Sequence, residues 1–267
     1  MTTVEQWLIQ SPLEAADKRV LFEFVTGLDR IRQMTHSKNV LSPQALEKLR
    51  EVEQKRLAGI PVPYITGVQE FYGRTFSVGP SVLIPRPDTE CLVEWLIENL
   101  PHGIQVCDLG TGSGCIAETL KLERSDLDVL ASDLSRSAIE TARRNAVSLK
   151  ADVRFLEGSW LKPYVGHFDL KAIVSNPPYI RSRDPHLKAL TFEPQNALVA
   201  QENGLAAYRE ILSEVKSLKF NPHIIAFEHG YDQGESVRSI FSEFGMEGSK
   251  THKDYGGNDR FTVWCRT

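Results

Sequence analysis

The sequence of 267 residues predicts an α/β domain with a seven-stranded, mostly parallel sheet, preceded by a small helical bundle. The first 60 or so residues show only helix-type patterns. From Thr89 onward, helix and strand patterns alternate, which is typical of a parallel sheet covered by helices on both faces. Two of the predicted strands end in turns rich in glycine or proline, where ligands bind in sheets of this kind.

The first helix of the bundle is predicted from the segment Ser11-Pro12-Leu13-Glu14. It has the pattern of a capping box, with Pro12 at the first helical position. The apolar residues at helical spacing are Leu13, Ala16, Val20, Leu21 and Phe24. We expect these side chains to form the buried face of the helix.

A second helix is predicted to begin at Ser42-Pro43 and to end before Gly59. Its apolar side is formed by Leu46, Leu49, Val52 and Leu57. Trp7 and Met34 are also expected in the core of the bundle, because large apolar side chains more often pack than bind. The charged residues of this helix predict a solvated face.

Between the bundle and the sheet, residues 61–84 contain Pro, Gly and short β-type runs, which predict a linker and a β-hairpin. We therefore divide the chain into a helical domain at 1–68, a linker and hairpin at 69–87, and a catalytic domain at 88–267. Strands are predicted at about 104–108, 128–133, 153–156, 169–175 and 223–228. A closing pair near 247–252 and 260–266 is expected to form a hairpin with one strand antiparallel to the rest.

The segment Asn176-Pro177-Pro178-Tyr179 follows an apolar strand. The two prolines remove two backbone donors and fix two φ angles, and they bias Asn176 toward an extended conformation. The result is a rigid ledge suited to a planar NH2 group. Asn176 Oδ1 and the Pro177 carbonyl would accept its protons, and Tyr179 would pack on its face.

A glycine-rich turn follows the first strand of the sheet, in the order Asp108-Leu109-Gly110-Thr111-Gly112-Ser113-Gly114. The next strand ends in Asp133, where a carboxylate would hold a ribose diol. A dinucleotide or S-adenosylmethionine would fit this pattern. Asp108 would repel a pyrophosphate but would pair with the amino group of a methionine moiety, which favours S-adenosylmethionine.

The amino-acid composition argues against several classes of protein. A formal net charge of −4 argues against a protein that grips free nucleic acid through many phosphates. The four cysteines lack metal-type spacing, so we expect reduced thiols and no metal. No apolar run is long enough to span a membrane, and the N-terminus does not resemble a targeting peptide. We expect a cytoplasmic protein, working as a monomer without a membrane.

The motifs together resemble the class I, Rossmann-like methyltransferases that methylate amino groups through an Asn-Pro-Pro-Tyr ledge. More narrowly, nearly the whole chain is similar to the glutamine-N5 methyltransferases of peptide-chain release factors. The segments that carry this similarity include Pro63–Gly67, Glu70–Gly73, Leu83–Glu90, Gly158–Trp160, Phe192–Pro194, Glu228–Gly230 and Asp254–Gly257. Related enzymes that act on a ribosomal protein usually replace Pro87-Asp88-Thr89-Glu90, which this chain keeps.

The resemblance implies methyl transfer from S-adenosylmethionine to the glutamine of the Gly-Gly-Gln motif of class I release factors, with S-adenosylhomocysteine as the product. The activity would modulate translation termination. It also implies that the helical domain recognises the substrate. Alternatives are a ribosomal-protein glutamine methyltransferase, a nucleic-acid amino-methyltransferase acting on adenine N6, cytosine N4 or guanine N2, and a non-catalytic cofactor-binding protein.

Site roles follow from the motifs and the resemblance. The expected catalytic residues are Asn176, Pro177 and Tyr179. The expected cofactor-binding residues are Asp108, Gly110, Thr111, Gly112, Ser113, Gly114, Asp133, Trp160 and Asn176. The expected substrate-binding residues are Asn176, Pro177, Pro178, Tyr179 and Arg86. Asp88 or Thr89 would cap the following helix, and Glu228 and His229 are assigned structural roles.

Overall fold

The computed structural model describes residues 1–166 and 169–266 and divides the chain into two compact units, Met1–Val68 and Gln69–Thr267. Three residues of the predicted domain at 88–267, at positions 167, 168 and 267, lie outside the described residues.

The N-terminal unit is helical. Its helices are α1 (Val4–Gln10), α2 (Ala15–Thr26), α3 (Arg30–Thr35), α4 (Pro43–Leu57) and α5 (Val62–Thr66). Trp7 packs against Phe22 with ring centroids 5.4 Å apart, as expected for a core tryptophan. Helix α4 begins as predicted: the Ser42 hydroxyl accepts a hydrogen bond from the Ala45 N–H at 3.1 Å, and Leu49 and Val52 are buried.

The predicted start of α2 is wrong. Ser11 ends α1; its hydroxyl donates to Glu53 Oε1 at 2.5 Å and accepts from the Leu13 N–H at 3.5 Å, which lies before α2. Helix α2 begins at Ala15, with Glu14 as an N-cap that makes no side-chain bond. Since the helix therefore buries Leu21 and Phe22, Val20 and Phe24 lie on its exposed side.

Two further predictions of burial in this unit are wrong. Met34 is 72% exposed and Leu57, at the end of α4, is 58% exposed. Periodicity assigns a side chain to a helix face, but neighbouring helices decide how much of that face is covered.

The second unit begins with the predicted hairpin, β1 (Val68–Phe71) and β2 (Arg74–Ser77). The strands that follow are β3 (Gln105–Leu109), β4 (Asp128–Asp133), β5 (Arg154–Glu157), β6 (Ala172–Ser175), β7 (Ile224–Glu228), β8 (Lys250–Lys253) and β9 (Asp259–Cys265). The helices are α6 (Glu90–Asn99), α7 (Cys115–Glu123), α8 (Arg136–Leu149), the short turns α9 (Gln195–Leu198) and α10 (Gln201–Gly204), α11 (Ala206–Ser217) and α12 (Gly234–Glu243).

Strands β3 to β9 form one seven-stranded sheet in the order β5-β4-β3-β6-β7-β9-β8. Strands β3 to β7 are parallel, and β9 is antiparallel to both of its neighbours. The predicted seven-stranded, mostly parallel sheet is therefore confirmed. Strand β6 is shorter than predicted, because the Asp169 N–H bonds the side-chain oxygen of Gln105 rather than a backbone carbonyl of β3.

Alternate residues of each strand enter different apolar layers. In β3, Val106 packs with residues of α6, α7 and α8, whereas Cys107 and Leu109 pack with residues of α11 and α12. The strand order reverses between β3 and β6, since β4 lies on one side of β3 and β6 on the other. A crevice forms at the carboxyl ends of the strands at such a reversal.

Candidate active site

A cavity of about 250 Å³ opens at the carboxyl ends of β3, β4 and β6. Residues from the predicted site line it together with residues that the sequence did not single out. The lining residues are Ser81, Val82, Leu83, Gly110, Gly112, Asp133, Leu134, Ser135, Ala138, Gly158, Ser159, Trp160, Asn176, Pro178, Pro194, Asn196, Ala197 and Glu210. The cavity therefore joins the glycine-rich turn, the end of β4 and the Asn-Pro-Pro-Tyr ledge.

The glycine-rich turn is held against the end of β4. The N–H groups of Gly110 and Thr111 both donate to the Ser132 carbonyl, at 2.8 and 2.9 Å. Gly110 and Gly112 both line the cavity and have positive φ angles of 72° and 57°. A left-handed backbone favours glycine, and the missing side chains leave room for a ligand beside the turn.

Gly114 is required for a different reason. Its φ is 86°, and a Cβ there would lie 2.1 Å from Glu118 Oε1 and 3.1 Å from the Ala142 Cβ. It does not line the cavity; its absent side chain lets α7 begin close to α8.

Asp133 faces the cavity at the end of β4, and its carboxylate is oriented by backbone donors. The N–H groups of Gly112 and Ser135 donate to its Oδ2 and Oδ1 at 2.9 and 2.8 Å. Burial raises the pKa of Asp133, and these two bonds oppose the rise. Each oxygen keeps a second lone pair, so a pair of adjacent hydroxyls could still bind it.

Asp108 is buried behind the turn and does not line the cavity. The Thr111 hydroxyl donates to its Oδ2 at 2.6 Å, and within residues 1–166 and 169–266 no hydrogen-bond partner is found for its Oδ1. Burial raises its pKa to about 7, with a contribution from the negative charge of Asp133. Asp108, Thr111 and Ser113 thus lie under the turn rather than on the cavity wall.

Trp160 borders the cavity opposite Gly110. Its φ is 43°, unusual for a bulky residue, and its indole N–H donates to Glu210 Oε2 at 2.9 Å. A Cβ on Gly110 would lie 3.7 Å from the Trp160 ring, so the indole and the turn are adjacent parts of one wall. A flat ring in the cavity could pack against this wall.

Asn176 and Pro178 of the ledge line the cavity, whereas Pro177 is buried. The Asn176 Nδ2 donates to the Thr89 hydroxyl at 3.4 Å. The ledge is continued by Tyr179, which is half-buried and packs with the apolar layer of α11 and α12. Burial raises the pKa of the Tyr179 phenol, so it is neutral at pH 7.

The peptide carbonyl of Tyr179 is enclosed. It accepts from Gln233 Nε2 at 3.0 Å, and a Cβ on Gly204 would lie only 2.0 Å from it. Next to it, Ile180 pairs with Val199, so the segment before Val199 is held beside the ledge. Pro194, Asn196 and Ala197 reach the cavity from this segment.

Arg86 does not line the cavity. Its guanidinium lies 2.5 Å from Glu193 Oε1, and the Ile84 N–H donates to Glu193 Oε2 at 3.0 Å. Glu193 is buried, so the pair fastens the segment after Leu83 to the segment before Pro194.

The predicted helix cap at Asp88 or Thr89 is wrong, because neither side chain caps α6. Asp88 Oδ2 lies 3.2 Å from the Arg260 guanidinium, which also binds Asp254. Thr89 is buried, and its hydroxyl accepts from Asn176. Both side chains are used in tertiary contacts near the ledge.

His229 is fully buried and lies off the cavity wall. Its Nδ1 contacts the Gly230 carbonyl and its Nε2 the Thr262 hydroxyl, both at 2.9 Å. Burial lowers its pKa, so the ring is neutral, with Nδ1 as donor and Nε2 as acceptor. Both nitrogens are engaged by the protein.

Sequence reasoning missed the lining contributed by Ser81, Val82, Asn196 and Ala197. These residues lie outside any regular strand, and no spacing in the sequence points to them. Leu83 and Pro194 stand in segments that carried the family resemblance, which was the available signal.

Among residues 1–166 and 169–266, the structure contains no group of three or more His, Cys, Asp or Glu side chains placed to hold a metal ion. None of the helices in the same ranges is long and apolar enough to cross a membrane.

Two family models match the chain: the PrmC N-terminal domain at residues 3–67 and the methyltransferase small domain at residues 87–202. The release factor glutamine methyltransferase of Neisseria gonorrhoeae is 42% identical over 98% of this chain and 97% of its own length. The protein of the same name from Escherichia coli is 37% identical over 97% of each chain. A solved structure, the catalytic domain of hMettl16 with a MAT2A 3′UTR hairpin, is 15% identical with a TM-score of 0.63, covering 92% of this chain and 91% of that one. This last similarity shows the shared fold alone.

Proposed function

The chain belongs to the release factor glutamine methyltransferase family, and from this membership and its cavity we propose that it methylates the side-chain amide nitrogen of the glutamine in the Gly-Gly-Gln motif of class I release factors. The methyl donor would be S-adenosylmethionine, and the product S-adenosylhomocysteine. The reaction would modulate translation termination in the cytoplasm, and we propose that the protein works as a monomer.

One observation carries the proposal: Asp133, Gly112, Trp160 and Asn176 line one cavity. A donor held at the end of β4 and an acceptor held at the end of β6 would meet inside it. Holding two reactants in line can supply roughly 7–11 kcal/mol of a reaction barrier. Bound S-adenosylmethionine supplies an already activated methyl group on sulfonium.

The residues present fit this cofactor. The carboxylate of Asp133 can accept from the ribose hydroxyls, and the wall that Trp160 contributes to the cavity suits the adenine ring. The glycine backbone at Gly110 and Gly112 leaves room for the rest of the molecule. The carboxylate of Asp108 lies directly behind the turn, and its negative charge would attract an ammonium group to this end of the site.

The acceptor is a poor nucleophile, because the lone pair of an amide nitrogen is delocalised into its carbonyl. Asn176 Oδ1 and the Pro177 carbonyl would accept its two N–H groups and favour positive charge as it builds on nitrogen. The Pro177 carbonyl belongs to the peptide bond that joins Pro177 to Pro178, and Pro178 lines the cavity. This position supports the role of the carbonyl. Tyr179 would pack against the amide plane.

No base from the protein is needed, since the methylated nitrogen becomes strongly acidic and loses its proton to solvent. The geometry agrees with this, because both ring nitrogens of His229 are engaged by Gly230 and Thr262. We assign His229 a structural role.

We propose that the helical unit recognises the release factor. The match to the PrmC N-terminal domain and its own compact core support this. Ile31 and Met34 of α3 are 73% and 72% exposed, so they are free to contact a protein partner. Ile31→Glu with Met34→Glu should raise KM for the release factor while calorimetric affinity for S-adenosylmethionine is unchanged. Val147→Glu, at an exposed position of α8, is the matched control; an equal effect of both variants would contradict the assignment.

The test of function uses purified protein and methyl-labelled S-adenosylmethionine. One reaction contains a class I release factor, a second ribosomal proteins, and a third total RNA with unmethylated DNA. Peptide mass spectrometry locates any added methyl. We expect label on the loop glutamine of the release factor, and none when Asn176→Ala replaces the wild type.

Asn221→Ala is the matched control, because Asn221 is exposed and precedes β7 at the opposite end of the sheet. It should retain full activity. Label confined to ribosomal protein or nucleic acid would keep the cavity and overturn the substrate. No label in any reaction would favour a non-catalytic protein.

A further inference from the structure

We propose that Glu228 is a positioning residue: its buried carboxylate holds the Asn176 amide with Nδ2 turned inward and Oδ1 turned toward the cavity. The proposal rests on the proposed function, in which Asn176 Oδ1 accepts from the NH2 group that is methylated. It gives a role in the reaction to a buried carboxylate that does not line the cavity.

The sheet places Glu228 beside the ledge. Strands β6 and β7 are parallel neighbours, with Ser175 opposite Phe227. The residue that follows Ser175 is Asn176, and the residue that follows Phe227 is Glu228, so these two residues are neighbours across the strand pair. The Glu228 carbonyl is fixed by the Tyr208 hydroxyl, which donates to it at 2.9 Å.

A triangle of side chains connects the two residues. Thr89 and Glu228 are 2% and 1% exposed, and the Asn176 Nδ2 donates to the Thr89 hydroxyl at 3.4 Å. The Thr89 hydroxyl and the Asn176 amide lie close enough to the Glu228 carboxyl to favour its charged form, and so they oppose the rise of its pKa. Among the described residues, no hydrogen-bond partner is found for Glu228 Oε2, so the carboxylate still has unused acceptor capacity.

This arrangement selects one orientation of the amide. An ionised carboxylate only accepts hydrogen bonds, so it favours the NH2 end of Asn176 and disfavours its oxygen. Rotating the amide by half a turn would bring Oδ1 against Glu228 and turn NH2 toward the cavity. In that orientation the Asn176 NH2 group would face the NH2 group of the substrate, and two hydrogen-bond donors cannot bind each other.

Protonation of Glu228 removes the selection, because a carboxylic acid can donate to Asn176 Oδ1. Burial raises the pKa of Glu228 to about 7, while the bonds from Thr89 and Asn176 and the charge of Arg260 oppose the rise. The charged and titratable groups that face it are Arg260, Asp88, Tyr179, Tyr208 and Cys115. The ionised, orienting form is therefore lost as pH falls below about 7.

The first test compares kinetics of wild type and Glu228→Gln. Glutamine keeps the shape but can donate as well as accept, so both amide orientations become allowed. We expect kcat to fall by about tenfold, the equivalent of one hydrogen bond to a charged group. KM for S-adenosylmethionine should not change. The kcat of the wild type should rise with pH through about 7, and this rise should disappear in the variant.

A double-mutant cycle separates positioning from a general structural effect. In an Asn176→Ala background, Glu228→Gln should cause no further loss of residual turnover, because no amide remains to be oriented. Additive losses would overturn the proposal. Glu247→Gln, an exposed carboxylate after α12, is the control and should leave kcat and its pH profile unchanged.

A second measurement does not depend on turnover or on the acceptor. In NMR spectra, the side-chain NH2 resonances of Asn176, assigned from their loss in Asn176→Ala, should titrate with a midpoint near 7 in wild type and stay constant in Glu228→Gln. Resonances that ignore pH, or that titrate equally in both proteins, would refute the proposal. If the wild type methylates RNA rather than a release factor, the proposed function is wrong. The role of Glu228 is then tested by the same kinetic comparison with RNA as the methyl acceptor.

Discussion

The side of the cavity that we propose for the cofactor and the side that we propose for the acceptor are built from different kinds of contact. On the cofactor side, Asp133 is oriented by Gly112 and Ser135, which lie 21 and 2 positions away in the chain. On the acceptor side, Asn176 contacts Thr89 across 87 positions. The first side is a local turn between two adjacent strands, whereas the second depends on the whole domain being folded.

This difference implies different responses to substitution. A change on the cofactor side removes a contact to the ligand and leaves the neighbouring backbone held by its own strands. A change on the acceptor side alters side-chain contacts that fix one loop against another. Cofactor affinity, turnover and the free energy of unfolding therefore distinguish ligand contacts from loop contacts.

The largest effect is expected at Asn176. Asn176→Ala should lower kcat by about 10²–10³, as for removal of one preorganised polar group at a reacting centre. Its calorimetric affinity for S-adenosylmethionine should change much less than kcat does. Near-normal turnover would mean that the ledge only shapes the turn, and a matching loss of cofactor affinity would erase the distinction between the two sides.

The next largest effect is expected at the Arg86–Glu193 pair. Arg86→Met leaves Glu193, whose side chain is only 2% exposed, as a buried and unpaired carboxylate. We expect a loss of about 3 kcal/mol in the free energy of unfolding. Glu193→Gln should cost less, because Arg86 is 34% exposed and can be hydrated. Denaturant unfolding of both variants measures the asymmetry; equal losses would contradict it.

The same difference explains what the sequence could predict. The turn at Asp108–Gly114 and the carboxylate of Asp133 follow from residue types at short spacing, so the strand ends and the cavity wall at Gly110, Gly112 and Asp133 were identified. The position of this turn beside the reversal of strand order agrees with the usual place of ligand sites in such sheets. These properties are encoded locally.

The contacts of the acceptor side could not be predicted in this way. Arg86 was expected to bind substrate, and its pairing with Glu193 could not be foreseen. Thr89 was expected as a helix cap but lies beside Asn176. Each depends on a partner far away in the chain, whose identity no local spacing reveals. The prediction that Met34 is buried was wrong for a related reason, because other elements of the fold decide which helix faces are covered.

On the cofactor side, Asp133→Ala tests a ligand contact. We expect the affinity for S-adenosylmethionine to fall by about 1.5–3 kcal/mol, the usual range for hydrogen bonds to a charged group. The free energy of unfolding should change little in comparison, because the strands on either side of the turn remain paired. Unchanged affinity in calorimetry would remove Asp133 from the cofactor site.

The smallest effect is expected from Glu118, which lies beneath the glycine-rich turn. It is fully buried, and neither carboxyl oxygen has a hydrogen-bond partner in the part of the chain that the structure describes. Burial raises its pKa to about 9, with a contribution from Asp108. Glu118 therefore keeps its proton in the folded protein over a range of pH in which the unfolded chain releases it.

The sign of the pH effect follows from that difference. Because the pKa of Glu118 is higher in the folded protein than in the unfolded chain, its contribution to the free energy of unfolding is fully present below the unfolded pKa. This contribution is lost as pH rises toward about 9. Glu118→Leu removes the buried acid and both partnerless oxygens, so it should stabilise the protein by about 1–3 kcal/mol at pH 8. The gain should shrink at pH 5. Glu140→Leu, on the exposed side of α8, should stay within about 0.5 kcal/mol of wild type at both pH values. Denaturation at the two pH values decides the question, because a gain independent of pH would show that only packing had changed, and a loss would show that Glu118 binds a partner beneath the turn.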